Sequence, residues 1–247
     1  PTTKITSKKS SPLCRGPDFF MQSGSLTFGD LPVSGNSVRS DTNNNNDIMS
    51  RPISSTLSGT STGELWFSFT ANKLQNNFNA AEGGLVIGSA TVGNSRIFEN
   101  DGSDGLNGFG IAPTTSGNNW TAYGWNGTSQ VADTDSLGVA TDGTETNLLI
   151  GQVSYNTGGG GEDVFTLHSY VLNGGSISGG SLNTITSVLV DVDETLLNTL
   201  NLTRQVNIHY DEIRIGESLD DVVSVIPEPS SLSLLALAGL GLLLRRR

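Results

Sequence analysis

The chain has 247 residues and a formal net charge of −11, from 13 basic against 24 acidic side chains. That balance excludes a nucleic-acid partner, which needs a basic face, and suits a secreted protein repelled by like-charged polymers unless cations intervene. Charged residues make up only 15% and there are 31 glycines, a turn-rich composition that favours short strands over helices.

In chain order, residues 1–23 open Pro1-Thr2-Thr3-Lys4, with neither methionine nor the apolar stretch of a secretory signal. They lack periodicity and read as disordered or as a mis-called domain start. Cys14, the single cysteine, excludes an internal disulfide and a cysteine-based metal site. Ser25 to Gly29 alternates weakly, as an edge strand does, and Asp41 to Asp47, with four consecutive asparagines, reads as a polar loop. Leu65 to Thr70 is a strand with Leu65, Phe67 and Phe69 on one face and Trp66, Ser68 and Thr70 on the other. Gly84 to Gly88 reads as a short buried strand. Gly108 to Ala112 and Trp120 to Trp125 follow as a pair.

Leu148 to Tyr155 and Val164 to Leu172 are the longest pair, joined by a glycine-rich hairpin loop, Asn156 to Asp163. Thr184 to Asp191 and Val206 to Ile215 complete the strands, and 191–202 reads as one short helix. About ten strands with glycine turns and no fixed repeat predict an all-β antiparallel sandwich over residues 24–224.

The remaining segment, 225–247, is of another kind. Val225-Ile226-Pro227-Glu228-Pro229 leads into Leu232 to Leu244, which holds eight leucines and no charge, and then into Arg245, Arg246 and Arg247. A helix over Ser230 to Leu244 reaches about 22 Å at about 1.5 Å per residue, short for a hydrocarbon core of about 30 Å. Snorkelling arginines and local thinning close the gap. The arginines stay cytoplasmic and stop the segment in the membrane, which puts the sandwich on the other side. The prolines keep the approach extended.

This order of Pro-Glu-Pro, apolar helix and basic end resembles the PEP-CTERM sorting signal of Gram-negative bacteria. The resemblance implies export and a transient stay in the inner membrane. It further implies cleavage by an exosortase that recognises Pro227, Glu228 and Pro229, and delivery to the cell surface or the exopolysaccharide matrix. Separately, Asn207 to Gly216 is similar to the last strand of concanavalin-A-like, laminin-G-like jelly rolls. There Tyr210, Glu212 and Arg214 are expected on one face and His209, Asp211, Ile213 and Ile215 on the other. That similarity implies a jelly roll and no particular activity.

Candidate chemistry is sparse. A jelly-roll glycoside hydrolase needs a Glu-x-Asp-x-x-Glu strand, which is missing. Asp191 and Asp193 read as charges at a helix start, and Asp211 or Arg214 as a tie to a neighbouring loop. His168 and His209, the only histidines, fall mid-strand and read as structural. No Gly-x-Ser-x-Gly elbow occurs. Asp101 and Asp104, in a flexible loop, are the candidate calcium ligands and the one cofactor possibility. Trp120, Tyr123 and Trp125 are the candidate sugar-stacking rings, with Trp120 facing away from the other two.

The expectation is therefore a non-catalytic surface or matrix protein, not an enzyme, whose partners are an exosortase, the inner membrane and a polysaccharide. The alternatives left open are a carbohydrate-binding module for the exopolysaccharide and, third, a glycoside hydrolase.

Overall fold

In the computed structural model, residues 19–33, 35–40, 47–53, 63–73, 83–89, 95–98, 105–114, 119–132, 146–204 and 208–223 are described. They form thirteen strands. These are β1 (Phe19–Ser23), β2 (Asn36–Ser40), β3 (Asp47–Pro52), β4 (Glu64–Lys73), β5 (Leu85–Gly88), β6 (Asn107–Pro113) and β7 (Trp120–Asn126), then β8 (Gln130–Ala132), β9 (Asn147–Ser154), β10 (Asp163–Asn173), β11 (Ser176–Val190), β12 (Thr199–Arg204) and β13 (Ile208–Gly216). One short helix, α1 (Leu219–Val223), follows. The strands make a seven-stranded sheet, β1-β2-β13-β4-β9-β10-β11, and a six-stranded sheet, β3-β12-β5-β6-β7-β8. Every strand pairing is antiparallel.

Period-two alternation fills the space between the sheets. Leu65, Phe67, Phe69 and Ala71 of β4 meet Leu85 and Ile87 of β5 and Phe109 and Ile111 of β6 there. Gly151 lets two rings close over β9: a Cβ at that position would lie 2.3 Å from Phe67 Cζ and 2.9 Å from Phe165 Cε2. The rings of Phe67 and Phe165 are stacked with centroids 5.8 Å apart.

Each outer face carries a smaller cluster. On the six-stranded sheet, a 3-10 turn at Ser95–Phe98 lays Ile97 and Phe98 over Val86, Ala112, Tyr123 and Trp125. On the seven-stranded sheet, Leu31 and α1 lie over Trp66, Leu148 and Ile150. A capping box starts α1: Asp221 Oδ2 accepts from the Ser218 backbone N–H at 3.0 Å, and the Asp221 N–H donates to Ser218 Oγ at 3.3 Å. Val222 and Val223 are buried against the sheet, and Ser68 Oγ donates to the Val222 carbonyl at 2.7 Å.

Strands β3 and β8 are not expected from the sequence, and its pattern fails at four further places. Phe19–Ser23, read as disordered, is a strand paired with β2, while Ser25 to Gly29, read as an edge strand, forms none. The helix expected over 191–202 is a 3-10 turn at Glu194–Leu196 followed by β12. Asp193 caps that turn through Thr195, so its charge does sit at a helical start, but Thr199 to Leu202 find sheet partners on both sides.

The fourth failure is in β13. Tyr210 faces the core, and a register shift between Asp211 and Arg214, with Glu212 at φ 46°, makes Ile213 and Ile215 face it as well. Arg214 thereby shares the outer face with Asp211. The loop-tie role expected for these two is what they perform. Asp211 Oδ2 accepts from the Leu26 N–H at 2.8 Å, and Arg214 Nη2 donates to the Pro32 carbonyl at 3.0 Å.

Candidate functional site

The outer face of the seven-stranded sheet is apolar where Leu31 and α1 cover it and polar beside them. Register sets out the polar part. Trp66 of β4 lies opposite Gln152 of β9, and Gln152 opposite Thr166 of β10; one row on, Ser68, Ile150 and His168 align. Alternation turns Glu64, Trp66, Gln152 and His168 outward, because Leu65, Phe67, Val153, Phe165 and Leu167 take the core positions.

These side chains form one directed chain of hydrogen bonds. Trp66 Nε1 donates to Glu64 Oε2 at 2.9 Å, and Gln152 Nε2 donates to Glu64 Oε1 at 3.2 Å. Gln152 therefore presents its carbonyl oxygen to His168 Nε2 at 3.2 Å. An amide oxygen only accepts, so Nε2 carries the imidazole proton. The lone pair is left on Nδ1, 3.1 Å from Thr184 Oγ1, which donates to it. Every donor in the series points toward the Glu64 carboxylate.

Burial pushes the His168 pKa down, because the charged imidazolium loses hydration there. His168 is 5% exposed, and its ring stacks against Trp66 with centroids 6.0 Å apart. The rim is more open: Thr184 and Ser187 are exposed, and Glu64, Gln152 and Thr166 are half-buried. A neutral imidazole with a fixed tautomer, a carboxylate and an exposed hydroxyl can bind sugar hydroxyls or take up a proton.

The sugar-stacking rings lie elsewhere. Alternation puts Trp120 in the core between the sheets, and Tyr123 and Trp125 on the outer face of the six-stranded sheet, as their spacing predicts. Exposure does not follow: the three are 0%, 3% and 0% exposed. Phe98 closes on both outer rings, with centroids 4.9 Å from Tyr123 and 5.5 Å from Trp125. The expectation of exposed rings is thus corrected, since a segment more than twenty residues upstream covers them.

Asp101 and Asp104 lie outside the described residues, as do Cys14, Pro227, Glu228, Pro229, the apolar run and Arg245, Arg246 and Arg247. Among the described residues, no group of three or more His, Cys, Asp or Glu is placed to hold a metal ion. No helix among them is long and apolar enough to cross a membrane.

The relay is not announced by any motif. Glu64, Gln152 and His168 sit on three strands, and only their register brings them together. The one sequence signal is a polar or amphipathic residue at outward positions of strands whose inward positions are apolar.

Comparison with known proteins bears on both parts of the chain. Residues 225–247 match the PEP-CTERM protein-sorting motif, which implies export and processing at a membrane. No curated protein is matched by the sequence. Among solved structures, the chain is similar to an endo-beta-1,4-glucuronan lyase from the fungus Trichoderma reesei, with 10% identity, 83% of this chain and 90% of that one covered, and a TM-score of 0.50. It is also similar to an alginate lyase mutant in complex with alginate trisaccharide, with 15% identity, coverage of 74% and 82%, and a TM-score of 0.41. Lectin I-B4 from Griffonia simplicifolia, in its metal-free form, shares 12% identity, with coverage of 82% and 94% and a TM-score of 0.31.

The likeness to the glucuronan lyase corrects the expectation of a chain that is not an enzyme, because it places the sandwich in a fold that carries lyase chemistry. The missing Glu-x-Asp-x-x-Glu strand bears on glycoside hydrolysis, which needs paired carboxylates. It does not bear on elimination, which needs a base and an acid. In this chain, a jelly-roll β-sandwich is followed by a PEP-CTERM sorting motif.

Proposed function

We propose that the protein is exported across the inner membrane of a Gram-negative cell, cut near Pro227-Glu228-Pro229 by an exosortase, and delivered to the cell surface or the exopolysaccharide matrix. There the outer face of the seven-stranded sheet engages polysaccharide. The sorting match supports the first half. The second half rests on one observation: the relay from Thr184 through His168 and Gln152 to Glu64 opens on an exposed rim beside a covered apolar patch. Hydroxyls and amides in fixed orientation are what recognise sugar hydroxyls. With a net charge of −11, a neutral polymer meets this chain with less repulsion than a polyuronate does, unless a cation bridges the two.

A second reading is favoured by His168 itself. Burial keeps the imidazole neutral, and its Nδ1 lone pair points at exposed Thr184. That arrangement suits a base that takes the proton beside a uronate carboxyl during elimination, as the lyase likeness also suggests.

One experiment separates these readings. The full chain and its Gln152→Leu variant are incubated with neutral and uronate polysaccharides, and both retention on immobilised polymer and release of unsaturated ends are measured. Retention lost in the variant supports binding at this face, and release of unsaturated ends supports elimination. Neither effect with any polymer overturns the polysaccharide half. Mass spectrometry of the mature C-terminus tests the sorting half.

A further inference from the structure

We infer that, in the membrane-anchored precursor, the seven-stranded sheet's outer face, with its relay, is turned toward the bilayer. The inference rests on α1 and the sorting match, and it does not depend on the polysaccharide reading. The sandwich is fastened to α1 through buried Val222 and Val223 and through the bond from Ser68 to the Val222 carbonyl. Ser68 belongs to β4, the middle strand of the seven. Val223, from which the tether runs to the apolar segment, therefore lies near the centre of this one face.

The tether is short. Nine positions separate Val223 from Leu232, where the apolar run begins. Fully extended, they span at most about 32 Å at about 3.6 Å per residue. To set the six-stranded sheet against the membrane, the same tether must first cross three strand spacings, about 15 Å, to reach an edge of its own sheet. It must then pass the thickness of the sandwich, two sheets about 10 Å apart with a side-chain layer on each outer face, roughly 20 Å in all. The tether is too short for that path, so the six-stranded sheet is kept from the lipid, and attachment near the centre of the opposite face turns that face toward it. The gap beneath it is at most the tether's own length.

Two consequences follow. Pro227 and Pro229 are four and six positions from buried Val223, so the motif lies within about 22 Å of this face. A polymer reaches the relay of the precursor only through the gap between domain and lipid, and cleavage removes that restriction.

The test uses the full chain in phospholipid vesicles carrying acceptor-labelled lipid, on a Cys14→Ser background. A donor dye is placed by Ser187→Cys on the outer face of the seven-stranded sheet, or by Thr128→Cys in the exposed turn between β7 and β8 of the other sheet. Energy transfer to the lipid is expected to be several-fold stronger from position 187 than from position 128. A flexible segment of about 20 Gly/Ser residues inserted between Val223 and Pro227 lengthens the tether by about 25 Å, and is expected to bring the two signals together. Equal transfer from both positions in the native-length chain, stronger transfer from position 128, or a difference unchanged by the insertion overturns the inference. No polysaccharide enters the measurement, so its outcome is independent of the reading above.

Discussion

Gln152 stands between Glu64 and His168, with its amide nitrogen 3.2 Å from Glu64 Oε1 and its carbonyl oxygen 3.2 Å from His168 Nε2. Turning the amide over would set its NH2 against the imidazole N–H and its oxygen against a carboxylate, so one orientation wins and the histidine tautomer goes with it. Gln152→Leu leaves both neighbours without this partner. The expected loss is about 1–2 kcal/mol in urea unfolding. Nitrogen NMR of the wild-type chain should show His168 protonated at Nε2 and bare at Nδ1. A bare Nε2 would contradict the relay.

Acid should weaken the fold through its histidines. Burial lowers the pKa of His168, and burial followed by the Arg39 charge lowers that of His209. The unfolded chain then binds protons that the folded chain does not. This stabilising contribution is complete above the ordinary histidine value of about 6.5 and is lost as the pH falls through it toward the lowered values. Unfolding midpoints measured down this range should fall, and His168→Gln should flatten the slope. An unchanged slope in that variant would remove His168 as the cause.

Asp163 shows the opposite sign. Burial raises its pKa, against two backbone N–H donors that lower it and the Glu194 and Asp191 charges that raise it further. Ionisation therefore costs stability as the pH rises through the raised value. The carboxylate is kept because it accepts from the Asn156 N–H at 2.9 Å and the Val192 N–H at 3.0 Å, tying the β9–β10 hairpin to the end of β11. Asp163→Ala strands both donors and is expected to cost about 2–4 kcal/mol. Thermal unfolding checks this, and a loss under about half a kcal/mol would show that water replaces the carboxylate.

Alternation gave the sequence reading its successes. It assigned the two faces of β4, the hairpin between β9 and β10, and the opposed facing of Trp120 against Tyr123 and Trp125. It failed where the chain breaks period two, as at Glu212, and where propensity yields to pairing, as at Thr199 to Arg204. The relay was beyond reach for a different reason. Glu64, Gln152 and His168 are far apart in the chain, and no local pattern encodes which strands become neighbours. The sequence shows His168 as a mid-strand residue, but what it touches depends on register.

Thr70 offers a stabilising change. Its Oγ1 is buried on the outer face with no protein hydrogen-bond partner, as are Ser25 Oγ, Asn72 Oδ1 and His209 Nε2 nearby. Register pairs Asp211 with Thr70 and His209 with Asn72. Thr70→Val keeps the shape and removes a buried hydroxyl without a partner. It is expected to raise stability by about 1 kcal/mol, seen as a higher urea midpoint at unchanged slope. A lower midpoint would mean that the hydroxyl is satisfied by solvent.

Trp125 tests the corrected view of the aromatic rings. It is 0% exposed, lies 5.5 Å from Phe98 and 6.0 Å from Tyr123 between ring centroids, and its Nε1 has no hydrogen-bond partner. Trp125→Ala therefore opens a cavity under the 3-10 turn and is expected to cost about 3–5 kcal/mol. Trp125→Phe keeps most of the ring volume and loses less. Below the unfolding transition, both variants should retain polysaccharide as the parent does, because this face lies across the sandwich from the relay. A folded Trp125→Phe protein that failed to bind, beside a Gln152→Leu protein that bound normally, would move the sugar-facing surface to the six-stranded sheet.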